Sequence, residues 1–467
     1  MKQTKNKIFI TIASASIVLA GCSKSFLEKS PSDSLTPQQA LGTESGLQSA
    51  VNGVYAQLRA VALYGRDFPI TGDLMADNTY IEIKNSGRYL PQYNYSVTVN
   101  DAVATEEWAA AYTGIDRANQ IIDANVTGTG VASTKAEAYA LRALLYFQLV
   151  NTYARPYTDN PDALGVPLVL HYNPYNYPAR NKVSEVYTQI VSDLKTALQN
   201  APAYTSSARL SKYSIEGLLA RVYLFMGDNT NALASAKDVI DNSGFTLVPA
   251  SAYDAYWANP APSSDMVETL FEVDADVINN NAFDDFAGMY ENGYNDIYAS
   301  IGLYNLYSST DVRKTVMIQG TTKSGAPAII VNKFAHASSP DRDNIKVLRL
   351  SEVYLIAAEA SLPGDEASAL MYLNDLMAQR DPSTVYTSTG AQLLSDIVTE
   401  RRKELAFEGN RLFDLNRLKM DIVRTANPAA IPAPLTIPYS DPRRISPIPQ
   451  QETQANTNIA NQQNPGY

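Results

Sequence analysis

Two stretches of this sequence, 137 residues apart, share one spacing of residues, and that repeat most narrows the folds open to the chain. In the first, Gly227 and Asp228 are followed by Ala232, Leu233 and Asp238; in the second, Gly364 and Asp365 are followed by Ala369, Leu370 and Asp375. Each stands between two helical periods, Ser211–Met226 and Thr230–Asn242 for the first, Leu348–Ser361 and Glu366–Arg380 for the second. A turn glycine has the backbone freedom to stop and reverse a helix, and a small alanine lets the paired helix pack closely. Both stretches therefore read as αα-hairpins.

Such pairs bury their faces only against further pairs, the logic of tetratricopeptide units. More helices are legible. Thr43–Leu63 places Ala50, Val51, Val54, Leu58 and Val61 at three- and four-residue steps. Glu106–Asn125 and Lys135–Tyr153 continue the pattern, the latter free of Gly and Pro. Ser184–Asn200 follows, with Ser184 as its expected N-cap. Gln392–Leu418 is helical with an interruption near Gly409. Residues 64–104 and 243–345 lose the helical period, 156–180 is a Pro-rich connector, and seven prolines fall between 428 and 449. The spacing of the two hairpins is too wide for a tandem array and requires a large insert between them.

The N-terminus says where the chain goes. Lys2, Lys5 and Lys7 precede an apolar run from Ile8 to Ala20, which ends in Leu19, Ala20, Gly21 and Cys22. Thirteen apolar residues match a signal-peptide core and are too few to span a bilayer. A leader ending in Leu-Ala-Gly-Cys is a lipobox. Cys22 is expected to be acylated and to become the first mature residue, with 23–40 as a polar tether. Two or three acyl chains, at roughly 0.8 kcal/mol per buried CH₂, anchor a protein stably.

Cys22 is the only cysteine, and His171 and His336 are the only histidines. Lipidation of Cys22 removes it from catalysis, disulfides and metal binding, and no zinc-site spacing or Cys/His pair remains. No metalloprotease, nucleophile-elbow or phosphate-loop motif occurs, and no cofactor is implied. The leader takes three lysines from a formal net charge of −11, leaving −14, which disfavours nucleic acid and anionic membrane surfaces. Thirty tyrosines against two tryptophans supply flat apolar faces with a hydroxyl, suited to sugars and peptides as well as to helix packing.

Several blocks resemble the SusD/RagB family of nutrient-uptake outer-membrane lipoproteins of Bacteroidetes. They are the mature start from Cys22 through Phe26, Leu27 and Glu28 to Pro31; Trp108, Tyr112, Ile115 and Asn119; Glu137, Leu141, Arg142, Ala143, Tyr146 and Phe147; and Gly165, Val166, Pro167, Leu168 and Val169. Arg349, Glu352, Val353 and Ala358 to Ala360 follow, then Glu400 to Arg417, and finally Gln463 to Tyr467. The resemblance implies a mostly all-α fold: a tetratricopeptide-like superhelix of helix pairs with a loop-rich, ligand-facing insert. It divides the chain into a signal peptide 1–21, a helical region 22–242 and a region 243–467 holding the insert, together one compact unit. It implies a binding protein without a catalytic step, lipid-anchored on the outer membrane and facing outward. The expected partner is a SusC-like TonB-dependent transporter. The expected ligand is an oligosaccharide or, in the RagB branch, an oligopeptide.

In that family ligand contacts come from the N-terminal irregular segment and the mid-chain insert. Here the first offers Asp73, Asp77, Asn78, Tyr80, Arg88 and Tyr89, and the second offers Trp257, Tyr290, Tyr294, Asn295 and Tyr298. Tyr290, Tyr294 and Tyr298 stand four residues apart, one face of a helix if that segment is helical. The block 400–417 reads instead as a structural ion-pair ladder, with Arg401–Glu404, Glu408–Arg411 and Asp414–Arg417 at helical spacing. A carboxylate-pair glycosidase would need neither Cys nor His, but no pair among 48 acids stands out.

Overall fold

The computed structural model describes residues 41–467. Cys22, its leader and the tether lie outside the described residues. Helix α1 (Glu44–Leu58) starts where the Thr43 hydroxyl accepts a hydrogen bond from the Gly46 N–H, and it buries Leu47, Val51, Val54 and Leu58. Then come α2 (Asp67–Leu74), α3 (Ala102–Asp123), α4 (Val131–Tyr153), α5 (Val183–Leu198), α6 (Lys212–Met226) and α7 (Asn229–Asn242). After the insert follow α8 (Leu350–Ser361), α9 (Glu366–Met377), α10 (Gly390–Glu404) and α11 (Arg411–Arg417). Packing runs from neighbour to neighbour along α3, α4, α5, α6 and α7, then directly from α7 to α8 and on to α9. The two hairpins separated in sequence are thus adjacent in space, and the insert loops out between them.

The shared pattern works through its aspartates and alanines. Asp228 and Asp365 cap α7 and α9 by accepting from the backbone N–H of Asn231 and Ser368, and Ala232 and Ala369 are fully buried. Gly227 takes the left-handed conformation, φ +74°, that ends α6. Gly364 is not among the positive-φ glycines, so the second turn closes without that device. Helix α5 begins one residue earlier than Ser184, with Lys182 as its N-cap. The stretch 392–418 breaks into α10 and α11, because Phe407 and Gly409 adopt positive φ between them.

Motif residues fasten the connector after α4. Tyr112 Oη donates to the Pro167 carbonyl at 2.7 Å and Asn119 Nδ2 to the Val169 carbonyl at 2.8 Å. Tyr146 Oη accepts from the Val169 N–H at 2.7 Å. Buried Arg142 holds Asp193 of α5 through Nε at 2.8 Å and Nη2 at 2.7 Å.

The segments read as irregular contain short strands: β1 (Thr79–Ile81), β2 (Thr269–Val273), β3 (Ile297–Ala299), β4 (Met317–Thr321), β5 (Pro327–Val331) and β6 (Ile345–Arg349). Near the C-terminus β7 (Ile422–Val423) pairs with β8 (Thr436–Ile437), and β2 pairs with β6. The remaining four form one antiparallel sheet in the order β1-β3-β5-β4. This sheet joins segment 64–104 to the insert, setting Tyr80 opposite Tyr298. Among the described residues no helix is long and apolar enough to cross a membrane.

Candidate functional site

Three loops meet at the end of that sheet, and a buried carboxylate ties them. Asp296, 0% exposed, accepts from the Ser86 N–H at 3.1 Å and from Lys323 Nζ at 2.6 Å. Glu82, also buried, accepts from the Ser324 N–H at 2.6 Å through Oε1. Loops 82–88, 283–296 and 322–326 are thereby held in register.

Above this knot lies a partly exposed shelf. The Arg88 guanidinium sits 3.5 Å from the Tyr294 ring centroid, and its Nη2 donates to Tyr294 Oη at 2.6 Å. Phe283, 58% exposed, meets the Tyr294 ring edge-on at 5.7 Å. Beneath, Arg66 binds Asp67 at 2.8 Å and also pairs with Asp284, while Tyr89 Oη donates to Asp67. Tyr89, Ala282, Asn292 and Asn295 all hold positive φ between 48° and 57°. Left-handed non-glycine residues cost roughly 1–3 kcal/mol each and persist only where surrounding contacts hold them. The loops flanking the shelf are therefore fixed by the knot below.

The structure brings Arg88, Tyr294 and half-buried Asn295 to this surface. It buries the other candidates of the described chain. Asp73 accepts from Asn78 Nδ2 at 2.6 Å and from the Gly409 N–H at 2.7 Å, and burial pushes its carboxyl up to about 6 despite those donors. A Cβ on Gly72 would fall 2.0 Å from the Gly409 carbonyl oxygen, and one on Gly409, at φ +80°, would fall 2.5 Å from Pro69 Cα, which explains both glycines. Asp77 pairs with Arg411 at 2.8 Å; burial opposes its charge, but Arg411 and Arg402 overcome that and hold its carboxyl below the usual range. Tyr80 and Tyr298 stack on one another at 5.8 Å inside the sheet, and burial pushes both phenols up to about 12. Tyr89 is the buried prop beneath the shelf. With almost no exposed surface, these side chains brace the fold.

The tyrosine stripe does not exist as a helix face. Tyr290 ends a five-residue helix (Phe286–Tyr290) and is buried against Phe334 and Phe407; Tyr294 lies in a loop; Tyr298 belongs to β3. The asparagines and glycine at 292–295 turn the chain between them. Trp257 is likewise buried, edge-on to Phe334 at 5.9 Å, with Lys333 Nζ 4.2 Å from its ring centroid. Phe283 and Lys323 escaped the sequence reading. The signal for Phe283 was an aromatic residue in an Asn- and Asp-rich run, 279–285, with no periodic apolar partners.

The block 400–417 is a buried charge network, and it pairs across elements more than along a helix. Of the three expected i,i+3 pairs only Asp414–Arg417 forms, at 2.8 Å. Glu404 instead takes Arg349 at 2.7 Å, Arg380 at 3.0 Å and Arg313 at 3.3 Å; Glu408 takes Arg349 and Lys333; Arg401 takes Glu352 and Asp414. Burial alone would raise the Glu404 carboxyl, yet Arg380, Arg349 and Arg313 hold it well below the usual carboxylate range.

Two further concavities lie elsewhere on the molecule. A groove of about 470 Å³ beside the sheet is lined by Ala299, Ile301, Gln319, Pro327, Ile329 and Asn427, aliphatic and without an aromatic face. A second of about 360 Å³ includes Tyr55 and Arg209, but Arg209 already covers the Tyr55 ring at 4.3 Å. Among the described residues no group of three His, Cys, Asp or Glu is placed to hold a metal ion.

Residues 25–224 match a SusD-like family described as starch-binding associating with outer membrane, and residues 329–467 match the SusD family. A SusD superfamily protein of Bacteroides thetaiotaomicron superimposes with a TM-score of 0.83 at 30% identity, covering 91% of this chain and 100% of that one. A SusD-like protein of Formosa agariphila is 28% identical over 99% of this chain and 100% of its own length. A laminarin-binding SusD-like protein shares the fold, with a TM-score of 0.72 at 24% identity over 91% of this chain and 100% of that one.

Proposed function

This chain belongs to the SusD/RagB family, and from that premise we propose that it is a surface nutrient-binding lipoprotein that captures an oligosaccharide and passes it to a SusC-like TonB-dependent transporter. It is a binding protein, not an enzyme. The observation that carries the ligand reading is the shelf of exposed Phe283 with half-buried Tyr294 and Arg88, on loops of a rigid scaffold. An exposed ring and a guanidinium plane accept the C–H face of a sugar, and the guanidinium edge donates to its hydroxyls. The aliphatic groove lacks such a face. The family description as starch-binding supports the class. Tethering to the outer membrane through Cys22 completes the role; Cys22→Ser is expected to release the protein from the membrane fraction, and retention there would overturn the anchor.

Calorimetric titration of the protein lacking its leader and Cys22, against an oligosaccharide panel and a peptide pool, tests the ligand class. Binding to a glycan that is weakened by Phe283→Ala supports the reading; glycan binding indifferent to Phe283 displaces the site. One observation favours the oligopeptide reading instead. Strand β4 is the outer strand of its sheet, with Ile318, Gln319 and Thr321 exposed, and its free edge is suited to pairing with an extended peptide. Binding to peptides alone would move the chain to that branch.

A further inference from the structure

We propose that the shelf takes an anionic saccharide, one whose sugar units carry carboxylate or sulfate groups. The inference rests on the reading of the shelf as the ligand site and goes beyond it in ligand chemistry. Its basis is where the charges lie. Arg88 forms no ion pair among the described residues; its guanidinium donates only to hydroxyls, Tyr294 Oη at 2.6 Å and Ser86 Oγ at 3.2 Å. Of five guanidinium N–H groups, these bonds occupy two. Arg88 thus touches no carboxylate directly and reaches Asp296 only through Ser86 Oγ, which donates to it, unlike the buried arginines of this chain that face carboxylates.

A second cation flanks the same tyrosine. Lys323 Nζ donates to the Tyr294 carbonyl at 2.7 Å and to Asp296, and Lys323 is 29% exposed while its carboxylate partner is fully covered. Lys84, exposed, lies on the same loop as Arg88. The nearby acids are taken up or covered: Asp284 pairs with Arg66, Glu82 is buried and binds the Ser324 N–H, and Asp296 lies under the knot. In a strongly acidic protein, the two fully buried carboxylates of this site, Asp296 and Glu82, lie beneath its cations, and the one acid of the three that reaches solvent, Asp284 with 40% of its side chain exposed, is matched by Arg66. A neutral sugar gains only ordinary hydrogen bonds to the free guanidinium N–H groups. A carboxylate or sulfate gains charge-assisted hydrogen bonds, with the planar guanidinium matching two oxygens at once.

The test is calorimetric titration of the leaderless protein with oligogalacturonate, sulfated carrageenan oligosaccharides, maltoheptaose and laminarin oligosaccharides, each at low and at physiological salt. The expected result is affinity for the uronate or the sulfated ligand at least about tenfold above both neutral ones, weakened by salt. Arg88→Gln should abolish that preference with an unchanged melting profile, and Arg88→Lys should retain part of it. Preference for the uronate over the sulfated ligand, or the reverse, identifies which group is read. Equal or tighter binding of a neutral oligosaccharide overturns the anion proposal while leaving the saccharide reading intact. Anionic binding indifferent to Arg88→Gln overturns the placement. Silence toward every saccharide, with binding only to a peptide pool, overturns the saccharide reading itself.

Discussion

Around Glu404 and around Arg88 the chain uses the same residue types, arginine, lysine, carboxylate and aromatic ring, at very different depths. At Glu404 every partner is buried and each arginine faces at least one carboxylate. At Arg88 the carboxylate is underneath, the cations are above it, and an aromatic ring stays open to solvent. Residue type therefore says little about role. The balance of charge at a given depth separates a fastening from a contact surface. A buried cation must be matched, by carboxylates as at Glu404 or by backbone carbonyls as at Arg424, or desolvation makes it intolerable, whereas a half-buried one with free N–H groups can wait for a ligand.

The sharpest way to break the comparison is to unbalance the buried side. Glu404→Ala leaves Arg313, Arg349 and Arg380 facing one another without their shared acceptor. A loss on the order of 3–5 kcal/mol is expected, read by urea denaturation. A loss below about 1 kcal/mol would show that the network can rearrange and is no fastening.

Acidity probes the same network without mutation. Glu404, Glu268, Glu352 and Asp414 are buried, and their arginines outweigh that burial to hold each folded-state carboxyl below its unfolded value. Their stabilising contribution is fully present above the ordinary carboxylate range and is lost as pH falls through the lowered values. Acid unfolding below about pH 4 is the expected course, followed by circular dichroism.

Glu107 should behave in the opposite sense. It is buried in α3 and hydrogen-bonded by Thr152 Oγ1 at 2.8 Å, but burial pushes its carboxyl up to about 8. A folded value above the unfolded one means the folded state binds the extra proton. Stability is therefore lost as pH rises from the ordinary carboxylate value toward 8. Glu107→Gln is expected to stabilise the protein at pH 7 by up to about 3 kcal/mol and to change little at pH 4. Destabilisation at both pH values would mean that the carboxylate is ionised and needed.

The helices were legible because their apolar periods are long, and Trp108, Asn119 and Arg142 stood where helical spacing places them. The sheet was not legible. Strands of three to five residues, such as Thr79–Ile81 and Ile297–Ala299, carry no readable period, and they pair over more than 200 residues of chain. The site suffered for the same reason. Polar and aromatic residues in a segment without period read alike whether they face solvent or core, so Asp73, Asp77 and Tyr298 were grouped with Arg88 and Tyr294. The pairing of Asp77 with Arg411, 334 positions away, is a long-range fact with no local signature.

The smallest expected effect isolates the comparison within one residue type. Tyr294 and Tyr298 are four positions apart, one on the shelf and one inside the sheet. Tyr298→Ala removes a fully buried ring that stacks on Tyr80, and the cavity left behind should cost roughly 3–5 kcal/mol. Tyr294→Ala removes a half-buried ring whose main partner is the Arg88 guanidinium, and a cation–π contact at an exposed site is worth only about 0.5–1 kcal/mol. Its melting temperature should stay within a few degrees of the parent, while ligand affinity falls because Arg88 loses its support. Thermal melts and titrations of the two variants side by side decide the matter. Comparable stability losses would place Tyr294 in the core and remove the shelf as a site, whereas lost affinity with kept stability would assign it to the ligand.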